Sequence, residues 1–214
     1  MLRAFCYNVA AMNFPNQLTL ARLGMAAGYV VLMSFPNVWC ETSALILFLA
    51  ALTTDYYDGR IARSRGLVTN FGKLLDPVAD KVLMTAALVM LMGNPYLSIP
   101  GWTIVAILGR EFLVTAARLL AAGKGVVIAA NKWGKAKAGL QMGYAFVALL
   151  FAIVVRKLDT TGGIALRFPD VVAVAKIGLR HLSYWAIVVI ALYTVYSGFQ
   201  MLWTNRETLD LAEL

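Results

Sequence analysis

Cysteine, histidine and charge are all scarce in this sequence. Among 214 residues there are two cysteines, Cys6 and Cys40, and one histidine, His181. So sparse a set excludes a disulfide framework and a zinc centre built on thiolate and imidazole. Charged residues make up only 14% of the chain, whereas soluble globular domains run at about a quarter. Hydrophobic residues make up 61% and the mean hydropathy is +0.74, which excludes a soluble globule. Internal repeats and low-complexity tracts are also missing, so one integral membrane domain over 1–214 is expected. The stretch MLRAFCYNVAAMN lacks a separate apolar core ending in a cleavage site, so no cleavable signal is predicted.

What is present is a series of apolar stretches, each near the roughly 20 residues needed to cross a bilayer. The reading is an all-α polytopic membrane protein with six transmembrane helices, at about 18–35, 38–60, 72–92, 101–120, 136–155 and 184–202. The segment 1–13 is read as interfacial, with Leu2, Phe5, Val9 and Met12 recurring at helical spacing. Turn chemistry separates the spans at SFPN (34–37), GNPY (93–96) and IPG (99–101).

The net charge is +8, but the positive residues flank apolar spans and form no single soluble face, so no nucleic-acid partner is expected. The connections 34–41 and 93–100 hold no Lys or Arg. By contrast, 60–73 holds Arg60, Arg63, Arg65 and Lys73, and 118–137 holds Arg118, Lys124, Lys132, Lys135 and Lys137. The positive-inside rule therefore places both basic connections, and both termini, in the cytoplasm. The segment 156–180 is basic yet falls outside in this topology, and an amphipathic surface helix on lipid headgroups is expected for most of it. Tyr96, Trp102, Tyr184, Trp185 and Trp203 are read as interfacial belt residues. His181, near the expected outer interface, is assigned no catalytic role.

Against this apolar background, DYYDGRIARSRGLVTNFGKLLDPVAD at 55–80 holds four of the eleven acidic residues. Asp55 and Asp58 are spaced i, i+3 and Asp76 and Asp80 i, i+4, so each pair shares a helix face with Cβ atoms about 5–6 Å apart. An unpaired charge deep in a membrane costs at least ~2.5 kcal/mol, so something positive must sit among them. A lysine would serve, but an all-oxygen donor set suits hard divalent ions, and paired ions suit phosphoryl chemistry. Gly59, Ala62 and Gly72 are small where helices and a ligand would crowd, Arg63 is placed to meet a phosphate, and Pro77 is expected to kink its helix. Spacing alone leaves an ion pathway, as in a divalent-cation transporter, open beside this reading.

Asp55, Asp58, Gly59, Ala62, Arg63, Gly72, Asp76 and Asp80 fit the signature of the CDP-alcohol phosphotransferases at each specified position, and the chain resembles that family. The resemblance implies six transmembrane helices, a homodimer and a cytoplasmic-side cavity. It implies two divalent cations, Mg²⁺ or Mn²⁺, held by the four aspartates. It also implies that Asp80 is the general base, and that Gly59, Ala62 and Gly72 make room for the nucleotide. Asn16, Thr19 and Arg22, at the start of the first span, would approach the CDP-lipid, although helix-start chemistry and headgroup anchoring explain them equally well.

The acceptor is read from the remaining polar residues within spans. Arg110, Arg118 and one or both of Lys135 and Lys137 form a candidate basic pocket for an acceptor that already carries a phosphate. Neighbours on a helix point about 100° apart, so Arg110 and Glu111 are not simply a pair with each other, while Lys137 shares a face with Gln141. NFPNQLTLARL (13–23), DPVADK (76–81), GRE (109–111) and the run from WGKAK to QM (133–142) are similar to the bacterial phosphatidylglycerophosphate synthases of that family. That likeness implies CDP-diacylglycerol and glycerol 3-phosphate as substrates, in the bacterial cytoplasmic membrane. It departs from the pattern at AARLL (116–120), which lacks an acidic residue, and at Ala138-Gly139, where a Thr-containing pair is common. An inositol phosphate would use a similar pocket, whereas serine has no phosphate to occupy it.

Overall fold

The computed structural model describes residues 14–65, 70–123, 132–160 and 167–206, and within these the side chains of 17–54, 78–123, 136–160 and 167–206. The expected interfacial segment 1–13 lies outside the described residues. Among the described residues the chain forms six helices and no strand: α1 (Phe14–Met33), α2 (Val38–Arg65), α3 (Asn70–Met92), α4 (Gly101–Gly123), α5 (Lys132–Thr160) and α6 (Pro169–Thr204). There are two compact units, whose boundary falls between Met90 and Leu91.

The turn residues end and restart the helices. After α1, the Asn37 side chain accepts a hydrogen bond from the Trp39 amide at 3.0 Å, capping the start of α2. After α3, Asn94 accepts one from the Tyr96 amide at 3.0 Å, an Asx turn that redirects the chain towards α4. Pro169 opens α6, where a missing amide proton costs nothing.

In the first unit α1 packs on α2 through small residues and one ring pair. Ala26, Ala44 and Ala51 are buried, and Tyr29 meets Phe48 with ring centroids 5.9 Å apart. Small residues let helices approach where lipid removes the hydrophobic drive to associate. In the second unit α6 is the common partner, packed against both α4 and α5. Its buried face runs Val172, Leu179, Ser183, Ile187, Ile190, Thr194, Ser197 and Met201, a helical repeat of three and four.

Large apolar side chains such as Val105, Leu113, Leu120, Val174, Leu192 and Phe199 face outward. A contiguous apolar exterior of this kind is a liability in water but is natural against lipid. Among the described residues two helical stretches are long and apolar enough to cross a membrane, Ala136–Thr160 at mean hydropathy 2.1 and Pro169–Thr204 at 1.6. Gln17–Met33 and Val38–Thr54 are shorter apolar helices. Among the described residues the chain is thus all-helical, with the apolar character of a membrane protein.

Two expectations change. The segment 156–180 is not one surface helix: Arg156 to Thr160 complete α5, and Pro169 onward is continuous with the last apolar span. At 1.5 Å per residue the 36 residues of α6 reach about 54 Å, well beyond a hydrocarbon core of about 30 Å. Its first turns therefore carry Asp170, Lys176, Arg180 and His181 outside the apolar region.

Tyr96 is also no belt residue but is buried. Its hydroxyl donates to Asp159 at 3.0 Å, Lys176 donates to the same carboxylate at 2.6 Å, and the Arg156 guanidinium lies 5.0 Å from the ring centroid. One aromatic platform thus gathers two of the cations that seemed misplaced by loop charge. Tyr96→Leu is expected to lower the melting temperature in detergent by several degrees and Tyr96→Phe, which keeps the ring, by less; equal melting of all three proteins would contradict this role.

Candidate functional site

Helix α1 turns Thr19, Arg22, Ala26 and Tyr29 to its buried side, at spacings of three and four. Arg22 is 1% exposed, and its Nη1 donates to Asp80 Oδ1 at 2.8 Å; Asp80 is 44% exposed. A guanidinium set in an apolar helix needs a carboxylate, and α3 supplies one from 58 positions away. The pair fixes the Asp80 carboxylate at the point where the fourth aspartate of the motif was expected to act. The partner of Arg22 was missed in the sequence. The signal was there, since an arginine at the ninth position of an apolar helix requires an anion somewhere.

The other motif residues fall where their spacing implies at the level of the backbone. Asp55, Asp58, Gly59, Ala62 and Arg63 lie in the C-terminal turns of α2, and Gly72 and Asp76 in the first turns of α3, so both aspartate pairs are helical. The helix continues through Pro77. The side chains of 55–77 and of Asn16 and Lys135 lie outside the described residues. Among the described residues no three His, Cys, Asp or Glu side chains come together.

In the second unit the buried polar residues form a network across three helices. Arg110 Nε donates to the Thr194 carbonyl oxygen at 3.1 Å, Nη2 to Ser197 Oγ at 3.1 Å and Nη1 to Glu111 Oε1 at 3.3 Å. Lys137 Nζ donates to the same Glu111 oxygen. Gln141 Nε2 donates to Thr194 Oγ1 at 3.2 Å. The shared face of Lys137 and Gln141 is thus observed, both side chains being buried. Arg110 and Glu111 do meet despite their divergent directions, because the long guanidinium folds back to the carboxylate. Lys137 gives Glu111 a second cation.

Of the cations expected to receive an acceptor phosphate, Arg110 and Lys137 are therefore engaged within the unit. Arg118 differs: its Nε is buried and has no hydrogen-bond partner among the described residues. Thr194, Ser197 and Gly198 were missed in the sequence, where small residues in an apolar span look like packing. The faint signal is two hydroxyl residues and a glycine at i, i+3 and i+4 midway along the span.

Comparison with known proteins now bears on the chemistry. A family model described as CDP-alcohol phosphatidyltransferase matches residues 12–168, most of the chain. The chain belongs to the CDP-alcohol phosphatidyltransferase family. A protein of Bacillus subtilis (strain 168), named CDP-diacylglycerol–glycerol-3-phosphate 3-phosphatidyltransferase, is 37% identical over 209 residues, covering 92% of this chain and 97% of its own. Proteins of the same name from Rickettsia typhi (strain ATCC VR-144 / Wilmington) and Sodalis glossinidius (strain morsitans) are each 32% identical, over 188 and 203 residues. They are covered over 96% and 97% of their lengths, and cover 88% and 92% of this chain. Membership makes this family member an enzyme of phosphatidyl transfer, and the match spans both compact units.

The network carries a charge-balance test. Lys137→Met removes one cation from Glu111 and is expected to cost about 3 kcal/mol, the lower end for breaking a buried pair. Adding Glu111→Gln removes the carboxylate as well and is expected to restore about half of that loss. Melting of the single and double variants in detergent measures both, and a double variant less stable than the single would contradict the pairing.

Proposed function

We infer that this protein transfers a phosphatidyl group from CDP-diacylglycerol to glycerol 3-phosphate, releasing CMP and forming phosphatidylglycerophosphate. The observation that carries this is the complete aspartate motif at 55–80 in a chain 37% identical, over 92% of its length, to an enzyme named for that reaction. The acceptor hydroxyl oxygen attacks the phosphorus that bears the lipid. A new P–O bond forms, the bond to the bridging oxygen of CMP breaks, and the hydroxyl proton passes to Asp80. The Arg22 ion pair supports this role, because it fixes the carboxylate that must meet the proton.

The donor set fits the metals the family implies, being carboxylate only, with Asp80 partly exposed. Asp55, Asp58, Asp76 and Asp80 would hold two divalent cations, Mg²⁺ or Mn²⁺, which neutralise diphosphate charge when bound. Gly59, Ala62 and Gly72 leave room for the CDP group, and Arg63, Asn16 and Thr19 meet its polar atoms. Thr19 lies buried one helical turn from Arg22, which supports its inclusion. Arg118 receives the acceptor phosphate most directly, supported by its unsatisfied Nε. Lys135 joins it, and Arg110 and Lys137 add positive field. Six spans forming one membrane domain, a homodimer, and an active site on the cytoplasmic side of the bacterial inner membrane complete the proposal, the orientation resting on loop charge.

Full-length protein in detergent, given CDP-diacylglycerol and Mg²⁺ or Mn²⁺, is expected to release CMP with glycerol 3-phosphate and not with inositol 1-phosphate or serine. Release with another alcohol alone would overturn the acceptor, and metal flux without CMP release would overturn the reaction. Asp55→Asn and Asp76→Asn are each expected to lower turnover by at least about 1,000-fold while sparing membrane insertion. Substantial metal-dependent turnover in both would contradict the carboxylate assignment.

A further inference from the structure

One glycine of α6 stands where nothing larger fits. A Cβ built on Gly198 would lie 2.6 Å from Arg110 Cγ, 2.9 Å from its Nε and 3.3 Å from its Cδ. Gly24, Gly109, Gly123, Gly139, Gly143 and Gly178 would meet nothing within 4 Å, so close approach is no general property of these helices. The Arg110 stem crosses α6 over Gly198, and its guanidinium then reaches the hydroxyl of the adjacent Ser197 and the carbonyl of Thr194, one helical turn back. Three positions of one face therefore act together: a gap for the stem and two acceptors for the head.

The hydrogen bonds close a ring. Arg110 and Lys137 share Glu111, Arg110 reaches Thr194, Thr194 receives Gln141, and Gln141 lies one turn from Lys137 on α5. Fixing Arg110 on α6 thereby fixes Glu111, and Glu111 fixes Lys137. Within this ring two cations face one carboxylate, and Arg118 lies two turns along α4 from Arg110. The ring thus sets the orientation of positive charge in the unit that also holds the unsatisfied Arg118 Nε.

We propose that Gly198, Ser197 and Thr194 are positioning residues for acceptor recognition. They seat Arg110, and through Glu111 they seat Lys137, so α6 tunes affinity for the acceptor's phosphate without touching either substrate. This rests on the reading that the cations of α4 and α5 receive that phosphate. It gives the last helix, which carries none of the aspartate motif, a part in choosing the acceptor.

The test is steady-state CMP release by the full chain in detergent, varying glycerol 3-phosphate and CDP-diacylglycerol separately. Ser197→Ala is expected to raise the KM for glycerol 3-phosphate about fivefold, the size of one ordinary hydrogen bond, because its effect reaches the acceptor only through Arg110. Ser197→Thr, which keeps the hydroxyl, should restore it. Gly198→Ala should raise the same KM by about tenfold or more, as Arg110 is displaced. The KM for CDP-diacylglycerol should stay within about twofold in all three. Should Gly198→Ala fail to fold, the Ser197 pair decides alone. Both KM values rising together with a fall in melting temperature would reduce the residues to packing and overturn the proposal, as would no change in either. If the parent protein releases CMP with another acceptor only, the functional reading falls and this inference falls with it; if it uses glycerol 3-phosphate and the variants match it, only this inference falls.

Discussion

An ionised side chain in hydrocarbon must have a partner, and that constraint organises this molecule. The cost of a lone charge at the centre of a bilayer helix, ~2.5–3.5 kcal/mol on insertion scales, is a large share of any protein's stability. Each described charge set deep within a helix is accordingly engaged or is partly open. Arg22 meets Asp80, and Arg110 and Lys137 meet Glu111. Among the described residues one Nε is unmet on Arg118 and one on Arg22, whose Nη1 meets Asp80.

The two compact units use the constraint differently. The first carries the four aspartates of the motif along α2 and α3 and sets Arg22 against the last of them, Asp80. The second gathers cations on α4 and α5 and sets one glutamate between two of them. Paired carboxylates suit divalent cations, and buried cations suit a phosphorylated alcohol. A reaction that joins a nucleotide-activated lipid to a charged acceptor needs both kinds of surroundings.

Much of this was legible in the sequence, for physical reasons that differ by residue. The helices follow from hydropathy, a local property, and the turns at Asn37 and Asn94 follow from side-chain chemistry that is also local. The shared face of Lys137 and Gln141 followed from a spacing of four. The aspartate motif was visible because charge is conspicuous among apolar residues. What escaped was non-local. Nothing near Arg22 announces an aspartate 58 positions on, and Tyr96 looked like an interfacial aromatic until Asp159, Arg156 and Lys176 were seen around it. Gly198 escaped because a gap has no signature until the side chain that fills it is known. The length of α6 escaped because its first turns are too polar to be read as part of a span.

We propose that the carboxylates of 55–80 are there to hold divalent cations. The most direct measurement is titration of the purified protein with Mn²⁺, followed by electron paramagnetic resonance of the free ion. Binding of about two Mn²⁺ per chain, lost in Asp58→Asn and retained in Ser197→Ala, is the result the account predicts. Undiminished Mn²⁺ binding in Asp58→Asn, or full turnover in the presence of a chelator, would contradict it.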